Sequence, residues 1–340
     1  MAKEPGRIAR ELRGKRLPFT EIPVVDFAPF LSGDPAGKAE TAAAIRHACL
    51  HAGFFYLKNH GVAAADRDGI FRTAQDFFAL PDAVKATASV TQSRHNRGYI
   101  EMERENLDPT RQKVGDLKEG FNMGRHVGEA DPDHGKPLRG PNLWPDGADD
   151  FRTGMERYWQ VILGLAGHLQ HAFALALDIE ETFFDDKLDR SLSTLRLLHY
   201  PPQTGDITQD QIGAGAHTDY GMFTLLLQDD AGGLQVRNVA GDWIEAPPIP
   251  DTFVVNIGDT LMRWTNDVFV SNPHRVINAG GGDRYSIPFF HDPNYDADIS
   301  AIESCVLPGE TPKYPPTTGG AYLEGRLNAT YAYRQDPAAE

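Results

Sequence analysis

The spacing of apolar positions changes partway along the chain. Up to about residue 177 they recur every three or four positions, as in helices that bury one face. Ala36 to Ala52 is alanine-rich, with Ala44, Ile45, Ala48 and Cys49 at helical spacing and Gly53 as a stop. Ala64 to Leu80 carries Ile70, Ala74, Phe77 and Phe78 on one side and ends at Pro81. Phe151 to Leu177 is longer. Its Met155, Tyr158, Ile162, Leu165, Leu169 and Phe173 predict a buttressing helix. Two strand-like runs, Ile22 to Phe27 and Phe54 to Leu57, lie among these helices.

From Leu192 the period falls to two. Leu195–Tyr200, Ala214–Gln228, Leu234–Val236, Trp243–Ile244, Thr252–Ile257, Leu261–Trp264, Phe269–Ile277 and Arg284–Phe290 predict short strands between Gly, Asp and Asn turns. Such a run predicts a β-sandwich or barrel, and the helices before it make the layout α+β. Gly221 is the expected place for a β-bulge. Residues 82–130 are polar and irregular, and 129–150 read as a surface loop. Residues 1–19 form a basic, polar arm, expected to be loose. The remainder, 20–335, reads as one domain: a helical and loop part over about 20–190, a β-core over about 191–310 and a carboxy-terminal helix over about 319–335.

The length of 340 residues is ample for such a core. Net charge is −15, from 33 basic and 48 acidic residues, which makes nucleic acid an unfavourable partner. No apolar run is long enough to span a membrane, and the basic start has no apolar stretch behind it. Two cysteines, Cys49 and Cys305, are too few for a disulfide framework and fit a reducing cytoplasm.

Candidate chemistry concentrates between His217 and Ser286. His217 and Asp219 stand two apart, so on an extended strand both point to one face. His274 follows on a distant strand. Two imidazoles and one carboxylate form the facial triad of a non-haem Fe(II) oxygenase, with coordination positions left open for other ligands. Arg284 offers a fork of donors for a carboxylate, and Ser286, two further on, adds a hydroxyl. His60 is expected to close a turn, and His168 and His171 to be surface or packing residues of the long helix. Lys118 and Glu119 are expected to form a solvated ion pair worth little.

These segments resemble the isopenicillin N synthase-like family of Fe(II)/2-oxoglutarate-dependent oxygenases. The likeness rests on His217-Thr218-Asp219-Tyr220-Gly221, Gly232-Gly233-Leu234-Gln235-Val236, Val255-Asn256-Ile257-Gly258-Asp259, Pro273-His274-Arg275-Val276 and Arg284-Tyr285-Ser286-Ile287-Pro288-Phe289-Phe290. It implies a double-stranded β-helix, or jelly roll, and a reaction that uses Fe(II), 2-oxoglutarate and O₂ on a small-molecule substrate. It also implies that Arg284 and Ser286 hold the distal carboxylate of 2-oxoglutarate, with Tyr200 as a further donor. Arg97-Gly98-Tyr99 and the segment Asp116 to Phe121 match family segments near the mouth of the site, so Arg97, Tyr99 and Phe121 are pocket candidates. Strand parity adds Phe290, on the face of Arg284 and Ser286, and Val276, on the face of His274; Phe289 should look out. The carboxy-terminal helix is expected across the mouth.

Isopenicillin N synthase and the plant ethylene-producing oxidases share the motif without using 2-oxoglutarate, and in the first it holds a substrate carboxylate. Arg284 therefore predicts a carboxylate before it predicts which one. Pro201-Pro202-Gln203-Thr204 and Gly213-Ala214-Gly215-Ala216-His217 also resemble a branch that forms ethylene from 2-oxoglutarate. A non-enzymatic jelly-roll binding protein is the alternative from another class.

Overall fold

The computed structural model describes Arg7–Ile8 and residues 22–238 and 240–330. The expected arm at 1–19, apart from Arg7–Ile8, and the last residues of the expected helix at 319–335 lie outside the described residues.

In chain order the elements are β1 (Arg7–Ile8), β2 (Val24–Asp26), α1 (Ala28–Leu31), α2 (Pro35–His51), β3 (Phe54–Lys58), α3 (Ala64–Phe78), α4 (Asp82–Lys85), β4 (Gly98–Ile100) and β5 (Glu119–Gly124). The long helix α5 (Asp149–Ala176) and short α6 (Asp185–Leu188) follow, then β6 (Thr194–Tyr200), β7 (Asp206–Ile207), β8 (Ala214–His217), β9 (Phe223–Gln228), β10 (Leu234–Arg237), β11 (Trp243–Glu245) and β12 (Thr252–Ile257). The chain continues with α7 (Asp259–Trp264), β13 (His274–Val276), β14 (Arg284–His291) and α8 (Gly319–Thr330).

Eight strands form a major sheet in the order β2-β3-β12-β9-β14-β6-β5-β4, and four form a minor sheet in the order β11-β10-β13-β8. Alternation along the major sheet separates two cores. On one face, Leu195, Leu197, Leu225, Phe253, Ile287 and Phe289 pack with Ile45 and Cys49 of α2, Phe77 of α3 and Ile162, Leu169 and Phe173 of α5. On the other face, Phe54, Tyr56, Leu198, Tyr200 and Val254 meet Ala214, Leu234, Val236 and Val276 of the minor sheet. The second core is the interior of the jelly roll, and the first is its helical backing. Phe289 thus faces away from the interior, as parity predicts, yet is fully buried and meets Trp159 edge-on at 5.4 Å.

Several expectations are corrected. Leu261–Trp264 lies in α7, where Leu261 and Trp264 bury one side of a short helix. Of Phe269–Ile277 only His274–Val276 pairs as a strand. The β-bulge is in β8 and not at Gly221: His274 pairs with His217 and Val276 with Ala214, so β8 spends one more residue than β13 over that step. His60 does close a turn, its Nδ1 accepting from the Val62 N–H at 3.1 Å.

Lys118 and Glu119 are neither solvated nor paired with each other. Glu119, at 5% exposure, meets Lys85 Nζ at 2.8 Å, the Tyr99 hydroxyl at 2.6 Å and His199 Nδ1 at 2.8 Å. Burial works to raise its carboxyl, but the bonds from His199, Lys85 and Tyr99 outweigh that and hold it below the usual carboxylate value. A depressed carboxyl adds stability that is present above the unfolded value of about 4.3 and is lost as pH falls through the folded value. Breaking a buried pair by removing one partner costs about 3 kcal/mol or more. Glu119→Gln is expected to cost about 3 kcal/mol at pH 6 by urea unfolding, and the difference from the unaltered chain should shrink toward pH 3.

Candidate active site

His217 is the last residue of β8 and His274 the first of β13, opposite each other in the minor sheet with ring centroids 4.3 Å apart. Asp219 lies just beyond the end of β8, in an irregular segment and not within the strand, where it comes beside the histidines. Its Oδ1 stands 3.7 Å from His217 Nε2 and 3.6 Å from His274 Nε2. One ligand atom from each lies within 4.8 Å of the others, and among the described residues no other such group of three occurs.

Hydrogen bonds within the fold orient His217 and Asp219. His217 Nδ1 donates to the Gly215 carbonyl at 2.8 Å, which turns Nε2 toward the cluster. Asp219 Oδ2 accepts from the Thr224 hydroxyl at 2.6 Å and from Asn256 Nδ2 at 2.7 Å. Oδ1 is the oxygen left facing the imidazoles. His274 is braced by the edge of the Phe54 ring, 5.5 Å away. Burial, and then His274, push the His217 imidazole down to about 4, so it is neutral at neutral pH. Burial acts to raise the Asp219 carboxyl, but His274 and His217 with the Thr224 and Asn256 bonds hold it below its usual value. Two imidazoles and one free carboxylate oxygen fit Fe(II) and leave room for further ligands.

A second network clamps the bulge that carries His217. Asp116, fully buried, accepts from the Gly215 N–H at 2.9 Å and from Gln112 Nε2 at 2.6 Å through Oδ1, while Oδ2 takes Lys118 Nζ at 2.5 Å. Lys118 continues to Glu105 at 3.4 Å, and Glu105 to Arg196 at 2.5 Å. A Cβ on Gly215 would come 2.6 Å from Gln112 Nε2 and 2.8 Å from the Asp108 backbone nitrogen, so the segment can lie this close only against glycine.

Arg284 is entirely buried. Its Nε donates to the Gly232 carbonyl at 2.6 Å, and its two terminal nitrogens have no hydrogen-bond partner among the described residues. Tyr200 faces it in register across β6 and β14, with the guanidinium carbon 4.8 Å from the ring centre. Ser286, also buried, lies two residues on along the same face. A buried guanidinium with two unmet donors side by side fits a bidentate carboxylate.

Beside His217 and Asp219 a cavity encloses about 750 Å³, the space at its opening included. Phe290 and Arg97 line it. Phe121 does not. It pairs with Leu197 and points to the helical backing, stacked among Phe77, Trp144 and Phe151, while its neighbour Asn122 takes the cavity side. Tyr99 opposes Phe121 in register and shares its face, its hydroxyl bound to Glu119. Val276 lies in the jelly-roll interior against Tyr200 and Leu234 and is not part of the cavity wall.

Residues missed from the sequence are Asn122, Thr194, Arg196 and Asp292; Leu323 and Leu327, of the helix expected across the mouth, also line the cavity. The signal was present in β5, where Phe121 and Met123 alternate with Gly120, Asn122 and Gly124. The helix α8 is latched by Arg326, which pairs with Asp259 at 2.6 Å and covers the Tyr220 ring at 4.4 Å. Burial, and then Asp219, push the Asp292 carboxyl up to about 7, with Arg97 opposing them.

Residues 22–147 match the family model described as non-haem dioxygenase in morphine synthesis N-terminal, and residues 191–293 match that of the 2OG-Fe(II) oxygenase superfamily. The "2-oxoglutarate-Fe(II) type oxidoreductase hxnY" of Emericella nidulans is 38% identical over 94% of each chain. A full-length protein of Neurospora crassa, solved in complex with alpha-KG and thymine, is 37% identical with a TM-score of 0.79, over 91% of this chain and 97% of that one. A putative 2OG-Fe(II) oxygenase family protein from Caulobacter crescentus is 32% identical with a TM-score of 0.80, over 91% of this chain and 99% of that one. With this likeness running the length of the fold and through the site, the chain belongs to the isopenicillin N synthase-like Fe(II)/2-oxoglutarate oxygenases, whose reaction uses Fe(II), 2-oxoglutarate and O₂.

Proposed function

We propose that His217, Asp219 and His274 hold Fe(II), that Arg284 and Ser286 take the distal carboxylate of 2-oxoglutarate over the Tyr200 ring, and that the substrate is a small metabolite in the cavity beneath α8. The observation that carries this reading is a pairing within one interior. Two imidazole nitrogens converge on a single free carboxylate oxygen, and the same jelly roll buries a guanidinium with unmet donors. When bound, the iron with 2-oxoglutarate and O₂ supplies the oxidising equivalent, and the co-substrate leaves as succinate and CO₂.

The chain's own residues then do three things. Thr224 and Asn256 keep Asp219 from turning, so that only Oδ1 is offered. Asp116 holds the β8 bulge, and through the Gly215 carbonyl the tautomer of His217. Phe290, Leu323 and Leu327 keep water from the reacting carbon. A roofed cavity and a charge of −15 favour a small molecule over a polymer, nucleic acid or a membrane surface. Among the described residues no helix is long and apolar enough to cross a membrane. The two free thiols fit work in the cytoplasm.

Asp219→Ala leaves two imidazoles and no negative ligand. It is expected to lower turnover at least about a hundredfold with loss of stoichiometric iron, measured by succinate release and metal analysis. Near-normal turnover with full iron would refute the ligand set. Asp116→Asn keeps the shape but removes the charge opposite Lys118. It should weaken Co(II) or Fe(II) binding about tenfold and shift the visible spectrum of the Co(II) form. Unchanged affinity and spectrum would leave Asp116 with a structural part only.

Arg284→Lys keeps the charge and loses the fork. It should raise the 2-oxoglutarate requirement about tenfold or more while iron affinity holds. The weak visible band of a 2-oxo acid on the Fe(II) protein, titrated anaerobically, reports the binding. O₂ uptake indifferent to 2-oxoglutarate would point instead to the oxidase branch. Phe290→Ala should loosen the substrate, lowering hydroxylated product relative to succinate. An unchanged ratio with the true substrate would place Phe290 outside the working pocket.

A further inference from the structure

Two side chains on the cavity wall carry polar atoms that the fold does not satisfy. Arg97 is 4% exposed, and its Nε is buried without a hydrogen-bond partner among the described residues. Its Nη1 makes one long bond, 3.4 Å, to the Thr194 hydroxyl. Asn122 is 1% exposed, and its Oδ1 is likewise buried without a partner. Its Nδ2 donates to the Asn96 carbonyl at 3.3 Å, which fixes which end of the amide is which, since a flipped amide would set oxygen against oxygen. A buried polar atom left unmet costs about 1–3 kcal/mol, so a donor and an acceptor unmet on one wall call for a ligand.

The two are neighbours by construction. Gly98, next to Arg97, pairs with Asn122 in register, and Asn122 pairs with Arg196 on the other side. The guanidinium lies flat against β5: a Cβ on Gly124 would fall 2.0 Å from Arg97 Nη2, so glycine is required there for the arginine to reach the wall. The patch sits at the β4–β5–β6 edge of the sheet, on the wall shared with Phe290, and the triad residues His217 and Asp219 line the same cavity.

The charges on the wall argue against an anion. The Arg196 charge is taken by Glu105 at 2.5 Å. Asp292, buried, shares the cavity with Arg97, and no ion pair within 4.0 Å joins them among the described residues. Arg97 thus has an acidic residue in its cavity but no ion-pair contact with it. A carboxylate would satisfy Arg97, yet it would press against the Asn122 oxygen and add a negative charge near Asp292 and Asp219. A neutral group with a carbonyl beside an N–H satisfies both walls at once.

We infer, building on the function proposed above, that the substrate is a small neutral molecule with an amide-type edge, its carbonyl accepting from Arg97 and its N–H donating to Asn122. Such an edge occurs in lactams, cyclic imides and heterocyclic amides. The apolar remainder then lies against Phe290, Leu323 and Leu327, and the carbon to be oxidised faces the triad. Arg97 and Asn122 act as specificity-determining residues.

Three probes test this on the full chain loaded anaerobically with Fe(II) and 2-oxoglutarate: 2-pyridone, N-methyl-2-pyridone, which keeps the carbonyl and loses the N–H, and benzoate, which has a carboxylate on a ring of similar size. Binding is followed by calorimetry and by the shift of the visible 2-oxo acid band. The expected result is 2-pyridone at least about tenfold tighter than either of the others, since a site built to accept an N–H rejects the analogue lacking it. Asn122→Leu should abolish the discrimination between the two pyridones, and Arg97→Leu should weaken both.

Benzoate binding as tightly as 2-pyridone, no discrimination between the pyridones, or no binding of any probe by a protein that shows the band would each overturn the inference and leave the proposed function standing. Absence of the band itself would count against the proposed function. The comparison of probes on the unaltered chain decides the matter even if a variant fails to fold.

Discussion

The carboxylate of Asp219 is the fixed point of this structure. It has left the minor sheet and is gripped by the major one, through Thr224 of β9 and Asn256 of β12, while the Asp259 N–H at the start of α7 takes its backbone carbonyl at 2.7 Å. One oxygen is consumed by these bonds, and the other is presented to two imidazoles from the opposite sheet. Removing a carboxylate from water is costly unless its lone pairs are met. Meeting them fixes its direction, and that direction brings the two sheets to a common site. Thr224 and Asn256 are polar residues on inward positions of otherwise apolar strands, which is where a buried carboxylate can find donors.

Buried charge elsewhere divides into two kinds. Lys118, Asp116, Glu105 and Arg196 form one chain, and Glu119, Lys85, Tyr99 and His199 form another. These are met, and they hold the irregular 101–118 segment and the short strands β4 and β5 against the sheet that bears the site. Arg284 and Arg97 are of the other kind. Each is buried by the fold and each keeps donors that the fold does not use. Paired charges build the walls, and the unpaired ones are the groups to which the proposed function assigns ligands. The two arginines sit at different places in the interior, one opposite Tyr200 and one on the cavity wall, which suits a co-substrate and a substrate bound side by side.

Leu323 and Leu327 cover the cavity and pack with Leu138, Leu192 and Tyr220. Arg326 adds a polar latch, bonding Asp259 and lying over Tyr220. Asp259 also accepts from the hydroxyl of Thr218, the residue between His217 and Asp219. The roof and the triad loop therefore share an anchor in Asp259.

The sequence by itself determined the change from helical to strand period, the triad His217, Asp219 and His274 as a candidate, the Arg284-x-Ser286 pair and the parity of Phe289 and Phe290. The pairs His217-x-Asp219 and Arg284-x-Ser286 and the parity of Phe289 and Phe290 rest on local spacing, since within one strand side chains alternate whatever the strand packs against; His274 joined them through the family motif Pro273-His274-Arg275-Val276. Tertiary structure decided which face of each strand became wall and which became backing. Phe121 and Tyr99 went to the helical side because β5 pairs with β6 in the register that puts Phe121 beside Leu197, and this gave the cavity Asn122. It also decided that Asp219 lies outside β8, that the bulge lies in β8, that Leu261–Trp264 coils as α7, and that Lys118 and Glu119 are buried with different partners. Register, the closing of a loop and the partner of a buried charge are set by residues distant in sequence, so no local pattern contains them.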